Sequence, residues 1–579
     1  MKAFAPRIVR RFVDAGPAGP PGDLIPRWLF LRALGVIYFS AFYSLLFQIR
    51  GLLGPDGLLP AGSYLSEVAK VMGRARFWYA PTLLWLGSGD HALMSLCWAG
   101  LIASILLFLN LWPRAMLVIC FLCFLSFVSA AQDFSGYQSD GMLLCAGFIS
   151  YFLAPGGRRP GFGERELSAR APLLLLRLLW FTIYFESGVA KFFGGDPTWR
   201  NLSAMNEYYQ NGPLPTWIGW YAHQLPHWFH QATALVTLLL ELVVPWMLWL
   251  PRRAKIICFL VVTILQVGII LTANYAFLNY LVLALGIFLV DDLFLVRFIP
   301  KSWQSAIRAN LERPPSAPWQ ASLRKSFAVS TERISLSLAG STDEANEKPV
   351  VPPSGAVPTS NEEAAGWRPT LARGVAGMGL WARAFLLAWV CYAMVFLMLQ
   401  QIWPRLPLPV KPVAALEPFR IANSYGLFGR MTWARYEVEF QGSNDGTNWV
   451  TYPFRYKPQD LNKAPGIYAP YQPRFEWNLW FASLGTWREN PFAVRTEVEL
   501  LLNSRDVLAL FRSNPFPTAP PKQIRAVIWQ YWFTDRATKR ATGNWWRHEY
   551  RGLYAPTLER SAEGKIMVSE WPQTFVPPP

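Results

Sequence analysis

The sequence has few charged residues for its length. Only 16% of its 579 residues are Asp, Glu, Lys or Arg, well below the ~25% of soluble domains. The chain is also 53% hydrophobic and 15% aromatic. Low charge with high hydrophobicity excludes disorder as the general state. It also argues against a nucleic-acid partner, whose binding site needs Lys and Arg clustered on a polar face. A membrane protein with basic loops is the class that fits.

Cysteine is scarce and lies only in apolar segments. A disulfide framework is therefore excluded, even for an oxidising compartment. One CxxC pair lies within a run of Ile, Phe and Leu, which favours helix packing over redox or metal chemistry. The six cysteines are Cys97, Cys120, Cys123, Cys145, Cys258 and Cys391.

Common catalytic motifs are missing. The sequence has no GxSxG, no Gly-rich phosphate loop and no HExxH, so hydrolase and nucleotide chemistries have no support and no cofactor is predicted. His223, His227 and His230 have helical spacing, and three imidazoles with a water could hold zinc. Pro226 interrupts this segment, and no acidic residue lies within it. Interfacial caps are therefore favoured, and no metal site is predicted.

Long apolar runs dominate the first 300 residues. A span of a bilayer needs about 20 apolar residues, and the sequence predicts nine such helices. A tenth apolar segment, Phe77–Leu86, is short and contains Pro81, so it is interpreted as interfacial or re-entrant. The predicted spans are Trp28–Ile49, His91–Trp112, Ala115–Ala131, Gly141–Ala154, Ala171–Phe193, Ala232–Leu250, Ala254–Ala273, Phe277–Phe298 and Leu380–Trp403.

The positive charges indicate an orientation. Lys and Arg are enriched in cytoplasmic loops, and the net charge of +17 concentrates in the N-terminal arm, alternate loops and the segment after Phe298. The intervening loops at 132–140 and 274–276 contain no Lys or Arg. The exception is the first outer loop, with Lys70, Arg74 and Arg76. The pattern predicts a cytoplasmic N-terminus and a C-terminal domain on the other side of the membrane.

The chain divides into five predicted regions. A cytoplasmic arm (1–27) precedes an eight-span membrane domain (28–300), with an interfacial segment at 51–90 and an outer loop at 192–230. A Pro- and Ser-rich cytoplasmic linker (301–379) leads to the ninth span (380–403). Residues 404–579 then form an exported domain. The predicted fold class is thus a polytopic α-helical membrane protein with a C-terminal α+β domain built on a β-sandwich.

Short alternating segments support the β-rich domain. Tyr436–Phe440 alternates with period two, and Asn444-Asp445-Gly446 is a strong turn signal before Trp449–Tyr456, which predicts a hairpin. A second strand pair is predicted at Ile524–Thr534 and Trp545–Tyr550, and a helix at Glu497–Arg512. The domain is rich in Trp, which predicts an aromatic core. The alternative is an exposed aromatic surface for a client protein, with Tyr425, Phe428, Trp477 and Trp480 as candidates.

Several polar residues are predicted at the outer end of the spans. Ionisable residues at membrane depth are costly and commonly functional. Glu186 and Lys191 in the fifth span and Asp140 just before the fourth are therefore candidate catalytic residues, unless each only satisfies a helix end or a neighbour. Convergence of their neighbours would create a polar cavity, here called the outer mouth. Its predicted members are Arg50, Tyr137, Gln138, Tyr184, Asp196, Trp199, Arg200, Asn201, His223, Asn274 and Tyr275.

Several motifs resemble the lipase maturation factor family. They are Gln48–Pro60, Tyr184–Lys191 with Gly195–Leu202, Pro213–Thr216 with Tyr221–Pro226, Asn423–Gly429, Tyr456–Asn462 and Asn514–Pro517. The resemblance covers about residues 28–551, apart from the linker. It implies a polytopic membrane factor that helps secreted lipases fold, with the C-terminal domain on the non-cytoplasmic side.

The membrane part also resembles vitamin K-dependent gamma-glutamyl carboxylase, in which a Tyr…Gly…Lys motif followed by Trp carries a lysine proposed to be catalytic. That resemblance places Lys191 in the comparable position, with Tyr184, Gly188 and Trp199 around it. Two functions are therefore expected: a maturation factor for a secreted client, or a membrane enzyme with Lys191 as base. The Arg-, Ala- and Pro-rich composition favours a bacterial inner membrane; in a eukaryote the expected site is the ER membrane.

Overall fold

A bundle of apolar helices forms the first part of the molecule. The computed structural model describes residues 22–163, 169–300, 304, 367–561 and 563–573, with only the helical backbone for 367–377. Nine helices of this described part are labelled in chain order. They are α1 (Leu24–Leu46), α2 (Asp90–Phe108), α3 (Pro113–Ala130), α4 (Gln138–Leu153), α5 (Arg170–Phe193), α6 (His227–Leu242), α7 (Arg252–Thr272), α8 (Leu278–Gly286) and α9 (Trp367–Ile402).

Successive helices run in opposite directions between two ends of the bundle. At one end, Arg177 is 3.2 Å from Asp23, Arg252 pairs with Asp291, and Arg114 donates to the Ala154 carbonyl. The other end carries the C-terminal domain and is called the domain end. It contains the chain segments on which the outer mouth was predicted.

Among the described residues, seven helices are long and apolar enough to cross a membrane. They are α1, α2, α3, α5, α6 with its 3-10 continuation to Trp249, α7, and α9 from Met378. The other two predicted spans are shorter helices. α4 has 16 residues, which span about 24 Å, less than the ~30 Å hydrocarbon core. α8 continues only to Leu289. The count of nine spans therefore stays a prediction.

Short helices join the long ones at the domain end. Between α1 and α2 are Ile49–Leu53, Ala61–Met72 and Arg76–Tyr79, and between α5 and α6 are Pro197–Arg200, Ala204–Asn211 and Trp217–His223. The segment from Phe77 to Leu86 contains no helix long enough to cross, as expected, and exposes Phe77, Trp78, Tyr79 and Leu86.

Two predicted regions are described only in part. The arm 1–27 is described from residue 22, and α1 already begins at Leu24. The linker 301–379 lies outside the described residues except at 304 and from 367 onward, where α9 begins 13 residues before the predicted Leu380.

The C-terminal domain contains one antiparallel sheet. Its strands are β1 (Arg435–Ser443), β2 (Val450–Thr451), β3 (Gln523–Phe533), β4 (Trp546–Leu553), β5 (Thr557–Arg560) and β6 (Ile566–Glu570). Their order is β2-β1-β3-β5-β6, and β4 also pairs with β3. The predicted hairpin is confirmed, with Gln441 opposite Thr451, although β2 has only two residues. The predicted β3–β4 pair is also confirmed, with Tyr531 opposite His548.

The predicted β-sandwich is not confirmed. Within the described residues the strands form a single sheet, and helices α10 (Arg474–Ala482) and α11 (Phe492–Leu501) pack on it where a second sheet was expected. The predicted helix Glu497–Arg512 is shorter because Asn503 has a φ of 57°, which an α-helix cannot continue through. A second short helix, Arg505–Leu508, follows. Two further short helices of the C-terminal part are Lys411–Ala414, which packs on α9, and Arg536–Thr542.

Candidate functional site

The domain end is built around one extended segment of the C-terminal domain. Residues 421–432, called the docking loop, run from α9 towards β1 and lie against α5 and the loop that follows α5. The Leu427 N–H donates to Ser187 Oγ at 3.3 Å, and the Gly426 N–H donates to Gln138 Oε1 at 3.1 Å. An irregular segment has unpaired backbone groups that must find partners when buried, so polar side chains of the helices are required here.

Lys191 links the docking loop to a second helix. Its Nζ lies 2.9 and 2.7 Å from the two carboxylate oxygens of Glu241 on α6 and 2.6 Å from the Leu427 carbonyl. The ammonium group donates hydrogen bonds to one Glu241 oxygen and to the Leu427 carbonyl, and the second Glu241 oxygen adds an ion-pair contact. The side chain is 2% exposed and also lies 5.1 Å from the centre of a Trp199 ring.

Glu186 holds the same loop from one turn earlier on α5. Its Oε2 accepts from the Tyr425 N–H at 2.5 Å and from Gln401 Nε2 on α9 at 3.1 Å. Its Oε1 has no hydrogen-bond partner in the described structure. Glu186 therefore joins α5, α9 and the docking loop.

Asp140 pairs with a residue of the C-terminal domain. The guanidinium of Arg474, at the start of α10, donates to both Asp140 oxygens at 2.7 Å and to the Phe134 carbonyl at 2.8 Å. Both side chains are buried, and Arg474 lies over the rings of Phe127 and Tyr137. The planar fork of Arg suits a bidentate carboxylate contact. This pair fixes α10 to the first turn of α4.

A second buried charge cluster lies where β1 meets the loop between α5 and α6. Arg435 donates to the Gln210 and Pro213 carbonyls at 2.9 and 3.0 Å. It also pairs with Glu437, which in turn lies 2.8 Å from Lys457 Nζ. All three side chains are almost completely buried.

The residues predicted to line the outer mouth lie at the interface between the bundle and the C-terminal domain. Most of them contact the C-terminal domain. Asp196 accepts from Met431 N–H at 2.6 Å, Trp199 donates to the Phe428 carbonyl at 2.9 Å, and Tyr137 donates to Asn478 at 2.8 Å. Asn274 accepts from the Tyr468 N–H at 2.6 Å and donates to the Gly466 carbonyl at 2.9 Å.

The other members of the predicted mouth have different surroundings. Tyr184 lies inside the bundle, where Gln266 donates to its hydroxyl at 2.8 Å. Arg50 is half-exposed and pairs with Asp90 at 3.0 Å, while Arg200 and Asn201 are exposed. His223 and Tyr275 pack against the rings of Phe533 and Phe428, and burial lowers the pKa of His223 to about 4.

The expected convergence of Lys191, Asp140 and Glu186 on one cavity is not found. The cavity lined by Lys191 is walled by Glu241 but by neither of the other two carboxylates. Each of the three residues has its own set of partners: Lys191 and Glu186 hold different residues of the docking loop, and Asp140 holds the start of α10.

The four residues expected to bind a client are not on an exposed surface. Tyr425, Trp477 and Trp480 are buried, and Phe428 is partly buried against Tyr275. The first two lie at or beside the contact with the bundle, where Trp477 packs on Tyr137. Their burial agrees with the interpretation of the Trp-rich domain as having an aromatic core.

The histidine cluster has aromatic and amide neighbours. His230 lies against Tyr209, and His227 is 3.4 Å from Asn206. Within the described ranges, no group of three or more His, Cys, Asp or Glu side chains could hold a metal ion.

Sequence reasoning missed Arg474 and Arg435. Both lie in a domain where charge is ordinary, so neither stands out as a candidate. Glu241 was visible as an acidic residue inside an apolar helix, but its pairing with Lys191 had no signal in the sequence.

A bundle of apolar helices with a sheet domain docked on one end through buried ion pairs defines a polytopic integral membrane protein. The family model described as "Lipase maturation factor transmembrane domain" matches residues 25–297, and that described as "Lipase maturation factor C-terminal domain" matches residues 421–556. The chain belongs to the lipase maturation factor family.

Individual relatives agree over nearly the whole chain. The chain is 32% identical to lipase maturation factor 2 of Homo sapiens over an alignment that covers 93% of this chain and 83% of the relative. It is 29% identical to lipase maturation factor 1 of Bos taurus over an alignment that covers 98% of this chain and 99% of the relative. No solved structure matches.

Proposed function

We propose that this chain is a membrane-embedded maturation factor for secreted proteins, with lipase-type clients. The observation that carries this proposal is that the similarity to lipase maturation factors covers the bundle and the C-terminal domain together, 93% of the chain for the human relative. Residues on both sides of the contact between the two parts, such as Asp140 and Arg474, lie within the stretches that match the two family models.

We propose that the C-terminal domain lies on the non-cytoplasmic side. The end opposite the domain carries Arg114, Arg177 and Arg252, and cytoplasmic ends are rich in Arg and Lys. Seven and nine spans are both odd numbers, so either count places the two ends of the chain on opposite sides. The vertebrate origin of the relatives named above gives no support to the bacterial inner membrane expected from composition.

In this proposal the helices hold the C-terminal domain beside the membrane, where a client emerges. The domain is attached by Ser40 of α1, which donates to the Pro470 carbonyl, and by side chains from α4, α5 and the loops at the domain end. It is therefore presented in one orientation. Preorganisation of this kind reduces the entropy lost when a partner binds. The client contacts a part of the domain that the bundle leaves free.

The geometry supports Lys191 as a positioning residue and gives little support to Lys191 as a base. A base needs a neutral amine with a free lone pair, whereas Lys191 is surrounded by a carboxylate and a carbonyl that require its hydrogens. The apolar cavity beside Lys191 is the one observation that favours the enzyme alternative.

A complementation experiment tests both proposals. Cells that lack their own lipase maturation factor receive this chain, and active lipase in the medium is measured. We expect the wild type to restore secretion, and the double variant Lys191→Met/Glu241→Leu to retain most of that activity, because a buried ion pair can be replaced by apolar side chains.

The outcomes separate the two functions. Lys191→Met alone leaves Glu241 uncompensated and should lower secretion by destabilising the docked domain, which the double variant reverses. An activity that both variants abolish to the same extent, at normal protein levels, would support the amine as a catalytic group. Failure of the wild type to raise the secretion of any client would contradict the maturation proposal.

A further inference from the structure

An apolar cavity of about 510 Å³ lies between α6 and α7. This volume falls within the range of about 300–1,000 Å³ that is usual for small-molecule sites. Its walls are mainly side chains of the two helices, together with aromatic residues from the loop after α5. The helix side chains include Val236, Leu240, Ile264, Leu265 and Ile269.

The cavity extends along α6 and α7 over a length comparable to most of one membrane leaflet. Its residues extend from Glu241 and Val261 at one end to Phe229 and Thr272 at the other. The eleven steps along α7 from Val261 to Thr272 correspond to about 17 Å at 1.5 Å per residue. The cavity is therefore elongated along the direction in which lipid chains lie in a bilayer.

The opening faces the surroundings of the bundle. Ile264 on the cavity wall is 73% exposed, and a Cβ added at Gly268 would meet no atom within 4 Å. Since α7 is an apolar helix long enough to cross a membrane, its exposed face borders lipid, and lipid is the molecule that reaches this opening.

The polar end of the cavity does not select a charged ligand. The Lys191 ammonium is neutralised by Glu241 and also donates a hydrogen bond to the Leu427 carbonyl. An anionic head group would have to displace one of these partners. The ligand that fits is thus an apolar chain whose head group stays at the membrane surface.

We propose that this cavity binds one acyl chain of a bilayer phospholipid, which enters between α6 and α7. The chain fills the space under the docking loop and contacts Phe428 at the base of the C-terminal domain. This inference concerns a lipid site and does not depend on the identity of the client.

The test uses the full chain in phosphatidylcholine vesicles that contain a small fraction of phosphatidylcholine with a diazirine on one acyl chain. After illumination, the labelled residues are identified by peptide mass spectrometry. We expect labels on Thr237 and Leu240, whose side chains are buried yet line the cavity. A probe with a phosphatidylglycerol head group should label them to the same extent.

Filling the cavity provides the control. Gly268→Trp should lower labelling of Thr237 and Leu240 by at least about tenfold, since exclusion of a few methylene groups already changes occupancy by that factor. Gly379→Trp is the matched variant, because Gly379 also has open space around its Cα but lies on α9, outside the cavity. It should leave labelling unchanged.

The proposal is overturned if Thr237 and Leu240 in the wild type are labelled no more than buried residues away from the cavity, or if Gly268→Trp folds and labels normally. A strong preference for the anionic probe would also overturn it. The wild-type labelling pattern remains decisive if Gly268→Trp does not fold.

Discussion

The Asp140–Arg474 pair illustrates how single residues join the two parts of the molecule. Taking both charges out of water is costly, and the cost is offset only by good geometry and further hydrogen bonds. Here the two 2.7 Å contacts provide the good geometry, and the Phe134 carbonyl accepts a further hydrogen bond from Arg474. Removing one partner alone leaves a buried charge without compensation.

We expect Arg474→Met to destabilise the folded chain by about 3–5 kcal/mol, the usual effect of breaking a buried pair. Asp140→Leu/Arg474→Met should recover most of this loss because no buried charge remains. The apparent melting temperature of the purified chain measures the effect. Lys70→Met is the control, since its pair with Glu67 is exposed. Equal melting temperatures for Arg474→Met and the wild type would show that the pair does not stabilise the contact between the C-terminal domain and the bundle.

For single residues, the sequence reveals one partner of each contact between the bundle and the C-terminal domain. Asp140, Glu186 and Lys191 were found because ionisable groups in apolar helices are unusual. Arg474 could not be found, since it is 334 residues from Asp140 and lies in a polar domain. The role of these residues could not be predicted from the sequence either. An aqueous cavity and a buried interface both require polar groups at the same helix ends, so the sequence does not distinguish them.

Helix α11 carries an unusual element-scale feature, a buried carboxyl with no counter-ion. Glu497 is fully buried, and neither carboxyl oxygen has a hydrogen bond of normal geometry in the described structure. Burial raises the pKa of this carboxyl well above its ordinary value, and the Ala526 N–H offsets this only in part. The folded state therefore favours the protonated carboxyl.

When the pKa of a carboxyl is higher in the folded state than in the unfolded state, the free energy of unfolding falls as the pH rises above the unfolded-state pKa. The reason is that the unfolded chain releases the proton more easily than the folded chain does. We expect Glu497→Gln to raise the apparent melting temperature at pH 7 and to reduce its decline between pH 5 and 8. Glu499→Gln, on the same helix but paired with Arg495, should give no such gain. A lower melting temperature for Glu497→Gln at pH 7 would contradict this account.

Elements defined by local signals were predictable. The Asn444-Asp445-Gly446 turn and the alternation around it gave the hairpin, and nine apolar runs gave the nine bundle helices. The sandwich was not predictable, since alternating strands have one buried face whether a second sheet or helices cover it. Here α10 and α11 cover it.

At the scale of the whole molecule, the C-terminal domain is a fixed continuation of the bundle. The docking loop lies so close to α5 that a Cβ on Gly426 would be 3.3 Å from the Cβ of Ala190. This is near the separation of about 3.5–4.5 Å found in disulfides. A freely tethered domain would seldom bring these positions together.

The most direct measurement is therefore disulfide formation by Ala190→Cys/Gly426→Cys in membranes under mild oxidation, read as linked peptides by mass spectrometry. The control is Ala190→Cys/Gly485→Cys, because Gly485 follows α10 and a Cβ there would meet Glu489 and Asn490 and not Ala190. We predict rapid and nearly complete linkage of the first pair and little of the second. Equally slow linkage of both pairs would contradict a C-terminal domain docked on the bundle.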